Sequence, residues 1–204
     1  TATRSEGGTG WRITGALPYL LEGFDAGLIL VTASEPGAPE SMLFAIDTRS
    51  AGLIIRLSDT VDPTRPLAHA QLDGVDAVLI GQPAEGERIR RDLASGIAAL
   101  MAFEQIGGAK ASLADATNYA SVRQQFGRSI GSFQAIKHML ADVLIEVEAA
   151  SAATEWATLE TQFDSAADLT AHVVHCLASE AYFLAASTSL QVHGAIGVTA
   201  ETDV

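Results

Sequence analysis

The sequence predicts an α+β chain in two halves: an antiparallel β domain of barrel or sandwich type over residues 1–82, then an antiparallel helical bundle over residues 83–204. Three observations carry this. Residues 10–80 hold five short β-biased runs whose connections are too short for crossover helices. Residues 81–86 (GQPAEG) form a Gly/Pro linker. Beyond it come long Ala-rich stretches whose apolar residues recur three or four apart.

The first nine residues are polar and Gly-rich, and the strand pattern begins at Trp11 with GWRITGAL. AGLILVTAS reads as a buried strand with a polar exit, followed by SMLFAIDT. GLIIRLSD starts after a turn at RSAG, and LAHAQLDGVDAVLI closes the set with a turn near Asp73-Gly74.

In the second half, residues 87–120 have few helix breakers apart from Gly107-Gly108, which cost about 1 kcal/mol each against alanine. That cost is tolerable where another backbone or a cofactor comes close. Residues 121–133 (SVRQQFGRSIGSF) carry two glycines and read as the turn into a second helix over about 134–160. Its apolar line is Ile136, Met139, Leu140, Val143, Val147 and Ala150, with Lys137, Asp142, Glu146 and Glu148 on the opposite side. Ser165 with Asp168 resembles a capping box opening a third helix, whose buried line is expected at Val174, Leu177, Ala181 and Leu184, ending at Thr188. Gly194 and Gly197 end it. Three such helices form an antiparallel bundle, with a fourth expected beyond Val204.

About 48% of residues are hydrophobic, and 25 acidic against 12 basic residues give a formal net charge of -13. With no Lys/Arg cluster, the balance argues against nucleic acid and against an anionic membrane surface. No run has the length and apolarity of a transmembrane span, and no apolar leader opens the chain, so a cytoplasmic protein is expected. The lone cysteine, Cys176, excludes an intrachain disulfide and reads as a buried small hydrophobe. His172 and His175 are spaced for one helix face, but no third ligand accompanies them and no metal is expected. Dinucleotide-fingerprint, Walker, CxxC and HExxH patterns are all missing from the sequence.

Two segments carry a family resemblance. YASVRQQFGRSIGSFQAIKHMLADV, from Tyr119 to Val143, resembles the Y-x-x-x-R-x-Q-F-G-x-x-I-x-x-F-Q-x-x-x-x-x-x-A-D signature of acyl-CoA dehydrogenases. LQVHGAIGVTAETDV, from Leu190 to Val204, resembles the family's Q-x-x-G-G-x-G-x-T segment, at about the family's separation. GWRITG followed by FDAGLILVTA resembles the pattern of its middle sheet domain.

The resemblance implies a middle sheet domain and an incomplete C-terminal helical domain, with the N-terminal helical domain absent and both ends reading as cut. It implies FAD as cofactor, an acyl-CoA thioester oxidised to the enoyl-CoA, an electron-transferring flavoprotein as redox partner, and dimers or tetramers. By the same resemblance Arg123 meets the FAD pyrophosphate, commonly across a subunit interface, and a guanidinium fork suits phosphate oxygens. Phe126 packs near the adenosine part and Gln134 contacts the adenine end. Gln191 and the backbone at Gly194 and Ala195 line another part of the same cofactor. A solvated turn arginine and an ordinary core phenylalanine are the plain readings of Arg123 and Phe126.

Four departures bear on activity. Many family members carry the proton-abstracting glutamate shortly after the last matched segment, at a position beyond Val204. Another branch carries it at the position of Ile97, and isoleucine cannot abstract a proton. Glu104, two turns further on in an apolar run, is the remaining candidate base, provided that burial raises its pKa. Gly194-Ala195 stands where the family has Gly-Gly, and Tyr19-Leu20-Leu21 stands where many members place a hydroxyl beside the flavin ring. Two functions therefore stay open: an FAD-dependent acyl-CoA dehydrogenase, and a non-catalytic or degenerate partner subunit that completes a neighbour's FAD site in a mixed oligomer.

Overall fold

The computed structural model describes residues 1–160 and 167–199, apart from Glu6, Thr9 and Pro63. They form two compact units, Thr1–Arg91 and Asp92–Val204. The first holds strands β1 (Ala2–Arg4), β2 (Trp11–Leu21), β3 (Leu28–Ala33), β4 (Met42–Asp47), β5 (Leu53–Leu57) and β6 (Leu67–Ile80). Every pairing is antiparallel, in the order β1-β2-β6-β4-β3, with β5 also on β6.

The 14-residue β6 is the spine of this unit. Its first half lies between β2 and β5, and its last three residues pair with β4. Among the described residues, a single backbone hydrogen bond, from Ala2 N–H to Ser34 O at 2.9 Å, ties β1 to the end of β3, and no ladder forms there. The sheet is therefore sandwich-like and does not close into a barrel. Period-two alternation does the sorting: Ile29, Val31 and Ala33 are buried while Leu28 and Leu30 face out. Trp11 meets Phe44 edge-on at 5.3 Å in the core, among Ile13, Ile46, Leu72 and Val75.

Two sequence expectations are corrected here. The polar opening contains a strand: β1 pairs Ala2–Arg4 with Trp11–Ile13, and Ala2 is fully buried. Asp73-Gly74 is a bulge inside β6, where Ile13 opposes Val75 but Gly15 opposes Leu72. The extra residue is absorbed at Gly74, with φ +57°, whose N–H donates to Thr14 Oγ1 at 3.1 Å. A strand paired on both sides keeps its direction through a residue that would otherwise turn.

The linker contains a 3-10 turn (Pro83–Glu85) that leads into helix α1 (Gly86–Val122). A Cβ at Gly86 would run into the Ser41 carbonyl and lie 2.7 Å from Met42 Cα, so this helix start needs glycine. The second unit adds a small hairpin, β7 (Gln124–Gln125) with β8 (Arg128–Ser129), then helices α2 (Gln134–Glu160) and α3 (Ala167–His193). α1 runs unbroken through Gly107-Gly108. What comes close there is a side chain: a Cβ at Gly108 would sit 2.6 Å from Tyr182 Cζ.

The α2 stripe is buried at Val143, Val147 and Ala150, as its spacing predicts. The α3 stripe is not the expected one. Ala171, Val174, Ala178, Ala181 and Ala185 face inward, while Leu177 and Leu184 are exposed. Alanines let the helix axes approach, so the seam follows the small residues rather than the large ones. Thr188 is buried, and Cys176 is exposed rather than buried. Ser165 of the expected capping box lies outside the described residues. Large apolar side chains remain exposed on the bundle, among them Leu100, Ile145, Val173 and Phe183. Among the described residues, no helix is long and apolar enough to cross a membrane.

At the β4–β5 turn, Arg49 donates to Asp47 three times: N–H to Oδ1 at 2.9 Å, Nε to Oδ1 at 3.0 Å and Nη2 to Oδ2 at 2.7 Å. These bonds hold the Asp47 carboxyl at a pKa of about 2, below its ordinary 3.8. The folded state binds the proton less readily than the unfolded one. The turn's contribution is therefore complete above pH 3.8 and is lost as pH falls through about 2. Carboxyl-carbon NMR titration should find the Asp47 midpoint near 2, and Arg49→Gln should return it toward 3.8.

Candidate cofactor site at one end of the helical bundle

The C-terminal end of α1 is continued by an Arg123 N–H bond to Tyr119 O at 2.8 Å. The chain then reverses in a two-residue turn. Gln124 opposes Ser129 and Gln125 opposes Arg128, leaving Phe126 and Gly127 as the turn, with φ of +55° and +76°. Two successive left-handed residues are the geometry of a tight hairpin, which explains Gly127. At Phe126 the same geometry costs about 1–2 kcal/mol, and it aims a ring that is 91% exposed away from the bundle.

The return strand is fixed back onto α1. Ile130 N–H donates to Arg123 O at 2.8 Å, and a Cβ at Gly131 would meet Ala120 O at 2.8 Å. A 3-10 turn (Ile130–Ser132) delivers Phe133 and then Gln134, the first residue of α2. Phe133 stands edge-on to Phe126 with ring centres 6.1 Å apart, and the Arg128 guanidinium lies 4.0 Å over the Phe133 ring.

The C-terminal end of α3 meets the same place. Val192 is buried with Ala116 and Ala120 of α1, beside Ile130, Ile136 and Met139. Tyr119 and His193 stack with ring centres 4.3 Å apart and planes 24° from parallel. His193 Nδ1 lies 2.8 Å from Ser189 O, which fixes its proton on Nδ1 as donor to that carbonyl. Gly194, at φ +67°, turns the chain out of α3 into a 3-10 turn (Gly194–Val198), with open space where its Cβ would be. Gly197 is buried, 3.0 Å from Leu190 O by the same construction.

Arg123, Phe126, Gln134, Gln191, Gly194 and Ala195 thus lie on elements that converge at one bundle end, and all six are exposed. Beside them α1 and α2 frame an open groove of about 570 Å³, floored by Leu113, Ala120, Leu140 and Leu144 with Lys137 at its edge. Arg4, Arg12, Arg49, Arg65, Arg88 and Arg90 pair with carboxylates, whereas among the described residues Arg123 and Arg128 pair with none. Unpaired guanidinium groups on a chain of net charge -13, next to an exposed ring and an open glycine backbone, suit a nucleotide with phosphates.

Glu104 is not part of this cluster. It lies fifteen residues before Tyr119 on α1, about 22 Å along the helix axis, and is exposed. The burial that a base role required is missing. Ile97 is 56% exposed, one further stretch down the same helix. Tyr19 and Leu21 are exposed on β2. Tyr119, Phe133, Arg128 and His193 build the site without having been singled out in the sequence. Tyr119 opens the first motif, which was a usable signal; nothing in one dimension pairs it with His193, 74 residues on.

Residues 95–204 match the family model for the C-terminal domain of acyl-CoA dehydrogenases. The chain belongs to the acyl-CoA dehydrogenase family. Acyl-CoA dehydrogenase IpdE2 of Mycobacterium tuberculosis is 40% identical over 145 residues, covering 71% of this chain and 41% of that protein. Butyryl-CoA dehydrogenase of Megasphaera elsdenii superposes with a TM-score of 0.92 at 23% identity, covering 98% of this chain and 54% of that one. A chain of the ChsE4-ChsE5 complex of Mycobacterium tuberculosis gives 0.83 at 26% identity, covering 97% and 53%. The chain therefore spans about half, or less, of these relatives' length. Family membership implies FAD as the cofactor.

The Tyr119–His193 stack should be visible as a coupling. Tyr119→Leu and His193→Leu are each expected to lower stability, and the double variant to lose less than their sum by about 0.5–1.5 kcal/mol in urea unfolding. Gly131→Ala should cost about 1–3 kcal/mol in the same assay, because its clash is with backbone.

Proposed function

We propose that this chain is the cofactor-holding portion of an FAD-dependent acyl-CoA dehydrogenase, which converts an acyl-CoA thioester to its α,β-enoyl-CoA. The observation that carries the reading is the convergence of Arg123, Phe126, Gln134, Gln191 and Gly194 at one bundle end, with Arg123 left without a carboxylate. In this reading the Arg123 guanidinium would hold the pyrophosphate, and Phe126 would offer its exposed face to the adenosine. Gln134 hydrogen-bonds at the adenine end. Gln191, Gly194 and Ala195 border the remainder, Gly194 through a backbone that no side chain screens. When bound, FAD would supply the hydride acceptor, and the redox partner proposed is an electron-transferring flavoprotein. The setting proposed is a cytoplasmic dimer or tetramer.

A second reading is favoured by one observation. At the position where one family branch places its base, this chain has Ile97, and Glu104, two turns further on, is exposed. A subunit of this kind would complete a neighbour's FAD site through Arg123 and Gln134 while the neighbour abstracts the proton. A two-component complex, ChsE4-ChsE5, is among the similar structures.

The visible spectrum of the full-length gene product, purified alone and with its genomic neighbour, separates the readings. A flavin band in the lone protein that bleaches with acyl-CoA supports the self-sufficient dehydrogenase. A colourless protein that becomes yellow and active only with the neighbour supports the partner subunit. No colour in either case after FAD is added back removes both. Arg123→Ala should weaken FAD binding about tenfold to a hundredfold, the scale of charge-assisted hydrogen bonds, and Arg123→Lys should recover only part of it.

A further inference from the structure

Phe126 sets a problem that the cofactor reading alone does not solve. Its ring is 91% exposed on a two-residue turn, in a left-handed backbone conformation. A free ring in that position samples several rotamers, and fixing it on binding costs about 0.5–1.5 kcal/mol. A packing surface for adenosine gains affinity if that freedom is already removed.

The hairpin contains the means to remove it. Phe133 stands at 89° to Phe126 with a 6.1 Å centre separation, within the range of favourable edge-to-face pairs. Phe133 is in turn held by Arg128, whose guanidinium carbon lies 4.0 Å from the ring centre. Arg128 is anchored as the register partner of Gln125, one position beyond the turn, so both ends of the pile are set by the same short ladder. Among the described residues no carboxylate pairs with Arg128, so no ion pair competes for its guanidinium. Lysine at 128 would keep the charge but lose the planar group that stacks.

We infer that Arg128 is a positioning residue for cofactor binding: through the Phe133 ring it holds Phe126 in the orientation that receives adenosine. The inference rests on the FAD reading above, and it concerns residues whose roles the motif match does not assign. It differs from a direct phosphate contact by Arg128, which would also loosen FAD on substitution, and a double-mutant cycle tells the two apart.

The test uses the full-length protein in whichever assembly holds flavin, stripped and titrated with FAD while flavin fluorescence is followed. Melting temperatures confirm that each variant is folded. Phe126→Ala is expected to raise the FAD Kd about tenfold or more. Arg128→Ala should raise it about two- to five-fold, the scale of an exposed cation–π contact, with Arg128→Lys only partly restoring it. In the Phe126→Ala background, Arg128→Ala should change nothing further. An Arg128→Ala effect that persists undiminished in that background overturns the inference, because Arg128 then touches the cofactor itself. No effect of Arg128→Ala in the native background overturns it as well, with the FAD site left standing. If Phe126→Ala leaves the Kd unchanged while flavin is bound, the cofactor reading at this bundle end fails, and the inference fails with it.

Discussion

The bundle depends on how closely α2 and α3 approach each other, with α1 packed against them, and alanine lines that seam. Ala102 and Ala109 of α1, Ala150 and Ala157 of α2, and Ala178, Ala181 and Ala185 of α3 form most of its buried seam. A methyl group brings little apolar area per residue, but it lets larger neighbours such as Val143, Val147 and Val174 reach across. Gly108 carries the same principle to its limit, giving up a side chain where Tyr182 needs the room. Close approach has a consequence at the far end, where Val192 can bury against Ala116 and Ala120 and Tyr119 can stack on His193. Without that closure, the two motifs would sit on unconnected helix ends.

The site is built by constraint more than by depth. Its exposed side chains stand on a backbone that is tightly specified: a two-residue turn with both residues left-handed, Gly131 against a carbonyl of α1, and Gly194 turning the chain at the end of α3. Cations without carboxylates sit on this frame in a chain with a large acidic surplus. Elsewhere the surplus is used, as at Asp47 with Arg49 and at Glu87 with Arg90. Such surface ion pairs contribute little individually.

Much of the fold was legible in one dimension because period and composition report it directly. Alternation marked β3, and spacing of three and four marked the Val143–Val147–Ala150 stripe of α2. The misreadings share a cause: each depended on a neighbour. Ala2–Arg4 is a strand because β2 is there to pair with it, and Gly74 is a bulge because β6 is held on both sides. Leu177 and Leu184 lie off the inward face of α3, which Ala178 and Ala185 occupy where α2 comes close. Cys176 lies on the outward face, off the line of Ala171, Val174 and Ala178.

By itself the sequence determined the order of elements, the antiparallel sheet followed by helices, the acidic balance and the two motifs whose spacing points to one family. These are properties of residue type and separation along the chain, so no folding is needed to read them. Tertiary structure alone decided which residues stand together. It set Tyr119 on His193 across 74 positions, gave Arg128 a ring in place of a carboxylate, and left Glu104 exposed and far from the cluster. Those outcomes follow from helix separation and hairpin register, which the sequence encodes only collectively, through the packing of every residue at once.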